Sequence, residues 1–397
     1  MSDRARALVP LVLATVATQA SIVVLAPLVV AIGREFHASL GQVGLARSAL
    51  AATAVAVSFA IGPWIDRTGV RPLLVAGALF ALAGAGLTAA APSLALFYGA
   101  QVVTGVGVAC LLSAGFAGVA VYFADAQAAW AVGWVVGAQS LAWIVGNPIV
   151  GVLADGGSWR LAYVVPAAIA ALALGAALLA PRSPAGSRSA TPGAGLAAVF
   201  RDRSARRWVT AELVAYSAWT AELTYAGAFY IESYGVDESE VGILLSVGSV
   251  VFLVVSTNTA RLTAGVPRRA LIVVSAVAMG VLLVPILNLT PSVWFTVGLF
   301  CAVAVCASLR STAASTLGLA QLPDQPGSMM GARTASAQLG YMIGAGAGGA
   351  VLALADFGAL GFVLFGGMAL SAVLIARVAD PEAEPVLARP APEPVPD

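Results

Sequence analysis

Charged side chains are scarce in this chain, so the few that fall inside apolar runs are the first places to look for chemistry. Glu212 and Glu222 share one such run, with Tyr216 and Trp219 between them at helical spacing. Arg310 lies in another, among Ser308, Ser311, Thr312, Ser315 and Thr316. An ionisable group inside hydrocarbon is costly and is a functional candidate by default. A buried carboxyl can take up and release a proton or hold a cation, and a guanidinium can grip a carboxylate with two parallel hydrogen bonds. Glu222 therefore reads as a proton or cation site, or as one half of a fixed ion pair with Arg310. Arg310 can pair with either acid or hold an anionic solute. Glu212 reads as interfacial, Arg47 as snorkelling toward headgroups, and Arg333 as a gate or lipid-headgroup residue.

Other chemistries are disfavoured. The chain has no Lys, so a phosphate-cradling loop of the Walker type cannot be built. The single His37 falls in a short loop, which leaves no Ser-His-Asp set. Cys110, Cys301 and Cys306 all sit in apolar runs and read as small buried hydrophobes. No enzyme activity, cofactor or metal is expected. The formal net charge of +1 provides no field for nucleic acid.

The positioning elements follow from composition. Of 397 residues, 60% are hydrophobic and 10% charged, and the mean hydropathy is +0.94. Average soluble domains carry about 25% charged residues, so the solvent here is largely lipid. Crossing a bilayer takes about 20 apolar residues in a helix. Twelve such spans are expected near 7–33, 41–65, 72–91, 94–122, 128–153, 159–181, 208–231, 240–262, 269–288, 292–320, 328–354 and 357–377. Arg4, Arg6 and the run ending at Ala20 imitate a secretion signal, but the apolar residues continue to Ile32, which makes an uncleaved first span. With the N-terminus inside, fifteen of the twenty arginines fall on the cytoplasmic side and only Arg34 and Arg160 outside. Both termini are then cytoplasmic, and Glu232, Asp237, Glu238 and Glu240 face out.

The stretch 182–207, with six arginines, Pro184 and Pro192, reads as a cytoplasmic linker. It separates a bundle over 1–181 from a second over 208–377, and 378–397 reads as a disordered tail. The two halves echo each other. Ala138-Gln139 with Ile144, Gly146 and Asp155 is matched by Ala337-Gln338 with Ile343, Gly344 and Asp356. Gly69-Val70-Arg71 recurs as Gly265-Val266-Pro267-Arg268-Arg269, without the acid. The fold class is thus all-α and integral to the membrane: twelve transmembrane helices in two pseudo-symmetric six-helix bundles.

Between spans 2 and 3 lies Gly62-Pro63-Trp64-Ile65-Asp66-Arg67-Thr68-Gly69-Val70-Arg71. Gly69 supplies a tight turn at the membrane face. The pattern resembles the signature loop of the major facilitator superfamily, although Val70 stands where that family often has a basic residue. The resemblance implies an inner gate in which Asp66 and Arg71 meet an acid ending span 4, here Asp125. Gly146-Asn147-Pro148-Ile149-Val150-Gly151 resembles, in part, the antiporter motif of the twelve-helix drug:proton branch, with Asn147 and Val152 replacing glycines. Proline bends the helix there and glycines permit close approach. Ser158-Trp159-Arg160 resembles the family's start of span 6. Gln101 stands where proton-coupled members usually place Arg, which removes one argument for proton antiport.

In that family spans 7 and 10 line the central cavity, which implies that Glu222, Glu212, Trp219 and Arg310 face it. From the first half come Thr15, Thr18, Gln19, Gln139, Ser140 and Trp143, an aromatic, amide and hydroxyl lining suited to a bulky, mostly apolar or cationic solute rather than a multiply charged one. The expected function is secondary transport by alternating access in the cytoplasmic membrane. Proton-driven efflux of a drug-like or secondary-metabolite molecule comes first, and uptake of a small polar or anionic metabolite is the alternative. The expected partners are the small-molecule solute, protons and the lipid bilayer, with the protein acting as a monomer.

Overall fold

A computed structural model describes residues 3–25, 28–38, 40–146, 149–150, 153, 158–182, 194–236 and 238–381. Among them every regular element is helical. The first half holds α1 (Asp3–Val23), α2 (Val29–Phe36), α3 (Leu40–Thr68), α4 (Val70–Ala90), α5 (Leu94–Tyr122), α6 (Asp125–Leu141), α7 (Trp159–Ala162) and α8 (Val164–Leu179). A short α9 (Ala194–Arg201) follows. The second half holds α10 (Arg203–Tyr234), α11 (Glu238–Leu262), α12 (Arg268–Asn288), α13 (Val293–Gln321), α14 (Pro326–Leu354) and α15 (Phe357–Ala376). Among the described residues ten helices are long and apolar enough to cross a membrane. α3, whose apolar stretch is Leu45–Ile61, and α10, which carries Glu212 and Glu222, complete the twelve.

Span 1 is not one helix. It is divided into α1 and α2, and the sequence between them carries Pro27, whose missing N–H cannot continue the helical ladder. Span 5 leaves α6 through a π-helical turn over Ala142–Gly146, just before Pro148 in the sequence. Span 7 begins at Arg203 rather than 208, because the Asp202 carboxylate caps the helix by accepting from the Ala205 N–H at 2.7 Å. The stretch expected to be only a linker holds α9, whose Phe200 ring lies 6.4 Å from Phe59 of α3.

Within the first half α4 packs on α5 and α8, and α3 and α1 on α5; within the second, α12 packs on α13 and α15, and α10 on α14 and α15. The halves meet along two seams, α3 with α14 and α6 with α11, supplemented by α5 with α14. A methyl on Gly133 of α6 would run into the Ser256 carbonyl of α11, so glycine is what lets the second seam close. The surface is apolar: Leu172, Val274 and Phe362 are 63%, 66% and 60% exposed, while Glu212 and Gln338 are 0% exposed. Apolar groups outside and charges inside invert the soluble pattern, as a lipid solvent requires.

The two halves share their turn chemistry. Gly69 (φ 83°) before α4 and Gly265 (φ 81°) before α12 both occupy the left-handed region that glycine adopts freely. Ser93 and Ser292 cap α5 and α13 in the same way. The end of the molecule carrying Arg67, Arg71, Arg268 and Arg377 is called the basic end below.

Candidate solute-binding site

The charged centre is a triad that joins three helices of the second half. Glu212 of α10 is fully buried, and its Oε1 accepts a short hydrogen bond from Arg310 Nη2 of α13. Its Oε2 lies 3.5 Å from Arg333 Nε of α14, close enough for ion pairing but without a hydrogen bond. Arg333 Nη2 donates to the Tyr216 hydroxyl at 2.7 Å. The Arg333 guanidinium also lies 4.3 Å over the Phe116 ring of α5, which belongs to the other half. Arg310 Nε, Arg333 Nε and Glu212 Oε2 are buried without hydrogen-bond partners. One carboxylate thus faces two guanidinia.

Two expectations are corrected here, and one open pairing is decided. Glu212 is not interfacial, because it is enclosed between the two arginines. Arg333 is 2% exposed and does not reach headgroups. Arg310 pairs with Glu212 and not with Glu222. The reason is helical phase: ten residues at 3.6 per turn leave Glu222 about 80° around α10 from Glu212, and about 15 Å along it.

Glu222 instead lines a small pocket inside the second bundle, near the end opposite the basic end. Tyr225, Phe229, Tyr230, Thr296, Phe300 and Phe357 line it. Glu222 Oε2 and the Tyr230 hydroxyl are buried there without partners, and the Tyr234 and Thr296 hydroxyls share a hydrogen bond beside them.

In the first half Gln19 Nε2 of α1 donates to Gln139 Oε1 of α6 at 3.2 Å, which brings two expected cavity residues together. Trp143, in the π turn, and Trp219 are half-buried. The hydroxyls of Thr15 and Thr18 return to carbonyls of their own helix. Gln101 donates to Thr88 Oγ1 at 3.1 Å between α5 and α4, inside the first half. Arg47 does not snorkel; its guanidinium lies 5.7 Å over the ring of Tyr341 on α14, across the seam between halves. Tyr341 in turn makes an edge contact with Tyr216 at 5.9 Å. Nearer the basic end, Ser113 of α5 donates to Thr334 of α14 at 3.1 Å. Phe116, Ser113, Thr334 and Tyr341 carry no charge in the sequence, and nothing there marked them as bridging residues.

At the basic end, Gly69 starts α4 and Val70 is fully buried, so a basic side chain there would lose its hydration. Arg67 is half-exposed. Arg71 Nη2 donates to the Leu178 carbonyl at the end of α8, at 2.6 Å. The side chains of Asp66 and Asp125, and Gly62 beside them, lie outside the described residues, as do Asn147, Pro148 and Gly151. Gly146 is described, and a methyl there would meet open space, so it is not a point of close helix approach.

The second half repeats the clamp: Arg269 Nη1 donates to the Val378 carbonyl after α15, at 3.3 Å. The acid that its turn lacks comes from Asp380, whose carboxylate pairs with Arg268 at 2.8 Å and accepts from the Arg269 N–H at 3.2 Å. Val378 and Asp380 are 0% and 2% exposed. The expected tail from 378 is therefore folded through Asp380, and 382–397 lie outside the described residues. On the opposite face Arg160 pairs with Glu35 at 2.8 Å and stacks on Trp159.

No cluster of three or more His, Cys, Asp or Glu able to hold a metal occurs among the described residues. Cys110, Cys301 and Cys306 are free thiols.

The whole fold has solved counterparts. The human organic anion transporter MFSD10 (TETRAN) superposes with a TM-score of 0.79 at 16% identity, covering 94% of this chain and 100% of that one. The proton:xylose symporter XylE, bound to a bromodeoxyglucose, gives 0.76 at 14% identity, covering 93% and 94%. The fucose:proton symporter FucP of E. coli gives 0.74 at 16% identity, covering 92% and 97%. At these identities the likeness speaks for the fold alone. No curated protein matches the chain. The family model described as Major Facilitator Superfamily matches residues 11–263 and 209–396, which together take in nearly the whole sequence. This twelve-helix membrane protein belongs to the Major Facilitator Superfamily.

Proposed function

We propose that the chain exports an organic anion with an apolar body by alternating access, and that the solute's negative charge is taken at Arg310 and Arg333. One observation carries this reading: two buried guanidinia share the single carboxylate of Glu212, and each keeps an N–H without a partner. A buried charge is costly unless paired, and a solute carboxylate, phosphate or sulfonate supplies the missing partner with geometry that guanidinium matches. The half-buried rings of Trp143, Trp219 and Tyr216 suit the apolar body.

The basic end is assigned to the cytoplasm, following the arginine bias. Arg333 on Phe116 and Ser113 on Thr334 then hold the inner mouth closed, with the Asp66 loop and Arg71 as further parts of the gate. Glu222 is assigned the coupling proton, because it is a carboxyl buried without a cationic partner. Proton influx would drive export; uptake of a small anion uses the same site with the opposite gradient. The protein is assigned to the cytoplasmic membrane as a monomer.

The test is counterflow of labelled naphthoate in proteoliposomes under an imposed pH gradient. Naphthoate should exchange in wild type, fail in Arg310→Ala, and lose only its response to the gradient in Glu222→Gln. Exchange that ignores Arg310 contradicts the assignment of the anion site.

A further inference from the structure

The internal repeat pairs Gln139 of α6 with Gln338 of α14. The two amides have different fates. Gln139 accepts from Gln19 of α1 and donates to the Val136 carbonyl. Gln338 is 0% exposed, yet neither its Nε2 nor its Oε1 has a hydrogen-bond partner. Leaving a buried amide unsatisfied forfeits the hydration of each polar group with nothing in return. Such a group calls for an explanation other than packing.

Position gives that explanation. Four residues before it on α14, Thr334 accepts from Ser113 of the first half. Three residues after it, Tyr341 lies under Arg47 of α3, also of the first half. Residues at these spacings share one helix face, so Gln338 lies on the stripe of α14 that meets the other half. That seam must part when the halves rock. Arg47 Nη1, just along the seam, is likewise buried without a partner. Five residues separate Gln338 from Arg333, about 7–8 Å along the helix and about 140° around it.

We infer that Gln338 is a solute-contact residue of the α3–α14 seam, taking a hydrogen-bonding group, an amide or carboxyl, carried on the solute's body away from its anionic end. This inference rests on the anion reading for the position of that anionic end. It does not rest on it for the placement of Gln338 on the path.

The test uses the full chain in nanodiscs, with Gln338→Cys and, as control, Gln101→Cys. Gln101 is as well buried, at 3% exposed, but it is bonded to Thr88 within one half. Each variant must give the monodisperse profile and thermal transition of wild type. Sulfonatoethyl methanethiosulfonate, an anion, should modify Gln338→Cys above the wild-type background at least about tenfold faster than the trimethylammonium analogue, as a path of positive potential favours anions. Gln101→Cys should stay unmodified. Silence at Gln338→Cys, or equal labelling of both variants, overturns the inference. Labelling of Gln338→Cys at the same rate by both reagents keeps Gln338 on the path and contradicts the anion reading instead. For the chemistry of the contact, carboxybenzamide should bind wild type about tenfold tighter than benzoate, a difference of about 1.4 kcal/mol, and Gln338→Leu should lose that preference while still binding benzoate. A preference that survives in Gln338→Leu removes Gln338 as its source.

Discussion

Glu212 is the residue on which the centre turns, since among the described residues its carboxylate alone pairs with both Arg310 and Arg333. Replacing it with Gln leaves both guanidinia buried without a carboxylate. Removing one partner of a buried pair costs about 3–5 kcal/mol, so Glu212→Gln should lower thermal stability in detergent markedly. Added naphthoate should restore part of the loss, because it supplies the missing charge. An unchanged transition would mean the triad carries no such strain. Phe116→Leu removes only the ring beneath Arg333. It should cost about 0.5–2 kcal/mol and make a cysteine placed at Ser113 more reactive from the basic end. Unaltered reactivity would mean Phe116 does not hold that mouth closed.

At this scale the sequence was only partly readable. It marked every charged member of the site, since any charge in an apolar run is conspicuous. It did not say which glutamate meets Arg310, because Glu212 and Glu222 both fit one loose helical stripe. The choice depends on how α10 is rotated against α13 and α14, which is a tertiary fact. Asp380 was hidden for another reason: its Pro- and Glu-rich surroundings look disordered, and its partner Arg268 is over a hundred residues away.

At the scale of elements, the twelve spans could be read because a bilayer demands long apolar helices, and most boundaries agree within a few residues. The departures have local causes. Pro27 accompanies the division of span 1, the π turn precedes Pro148, and the Asp202 cap lengthens span 7. The turn into α4 provides a check on backbone conformation. Gly69→Ala places a side chain at φ 83°, at a cost of about 1–2 kcal/mol, which chemical unfolding should register. The same change at Gly146, where a methyl meets open space, should leave stability nearly unaffected or raise it slightly. Equal effects at the two sites would contradict this reading of both glycines.

For the whole molecule, the two halves touch along seams built from small residues and a few polar bridges; one core cluster runs through both halves at the basic end, from Leu11, Val70 and Phe116 to Trp208 and Met329, while toward the opposite end each half has a core of its own. Their basic ends are pinned alike, by Arg71 to the end of α8 and by Arg268 and Arg269 to the residues after α15. Asp380→Asn should therefore loosen the second half alone. We expect a loss of about 2 kcal/mol, less than for a fully buried pair because Arg268 is part-exposed. Hydrogen exchange should rise in the α11–α12 turn and not in the α3–α4 turn. A rise in both would mean the clamps are coupled across the halves.

The central claim is that a solute's negative charge is held by Arg310 and Arg333, and equilibrium binding to purified protein measures it most directly. Three probes share one ring system: naphthoate, naphthamide and naphthylmethylammonium. Wild type should bind naphthoate at least about tenfold tighter than the other two, and Arg310→Ala should abolish the difference, as expected when a charge-assisted bond of about 1.5–3 kcal/mol is lost. Binding of the amide or the ammonium as tightly as the carboxylate, or a carboxylate preference that survives in Arg310→Ala, would contradict it.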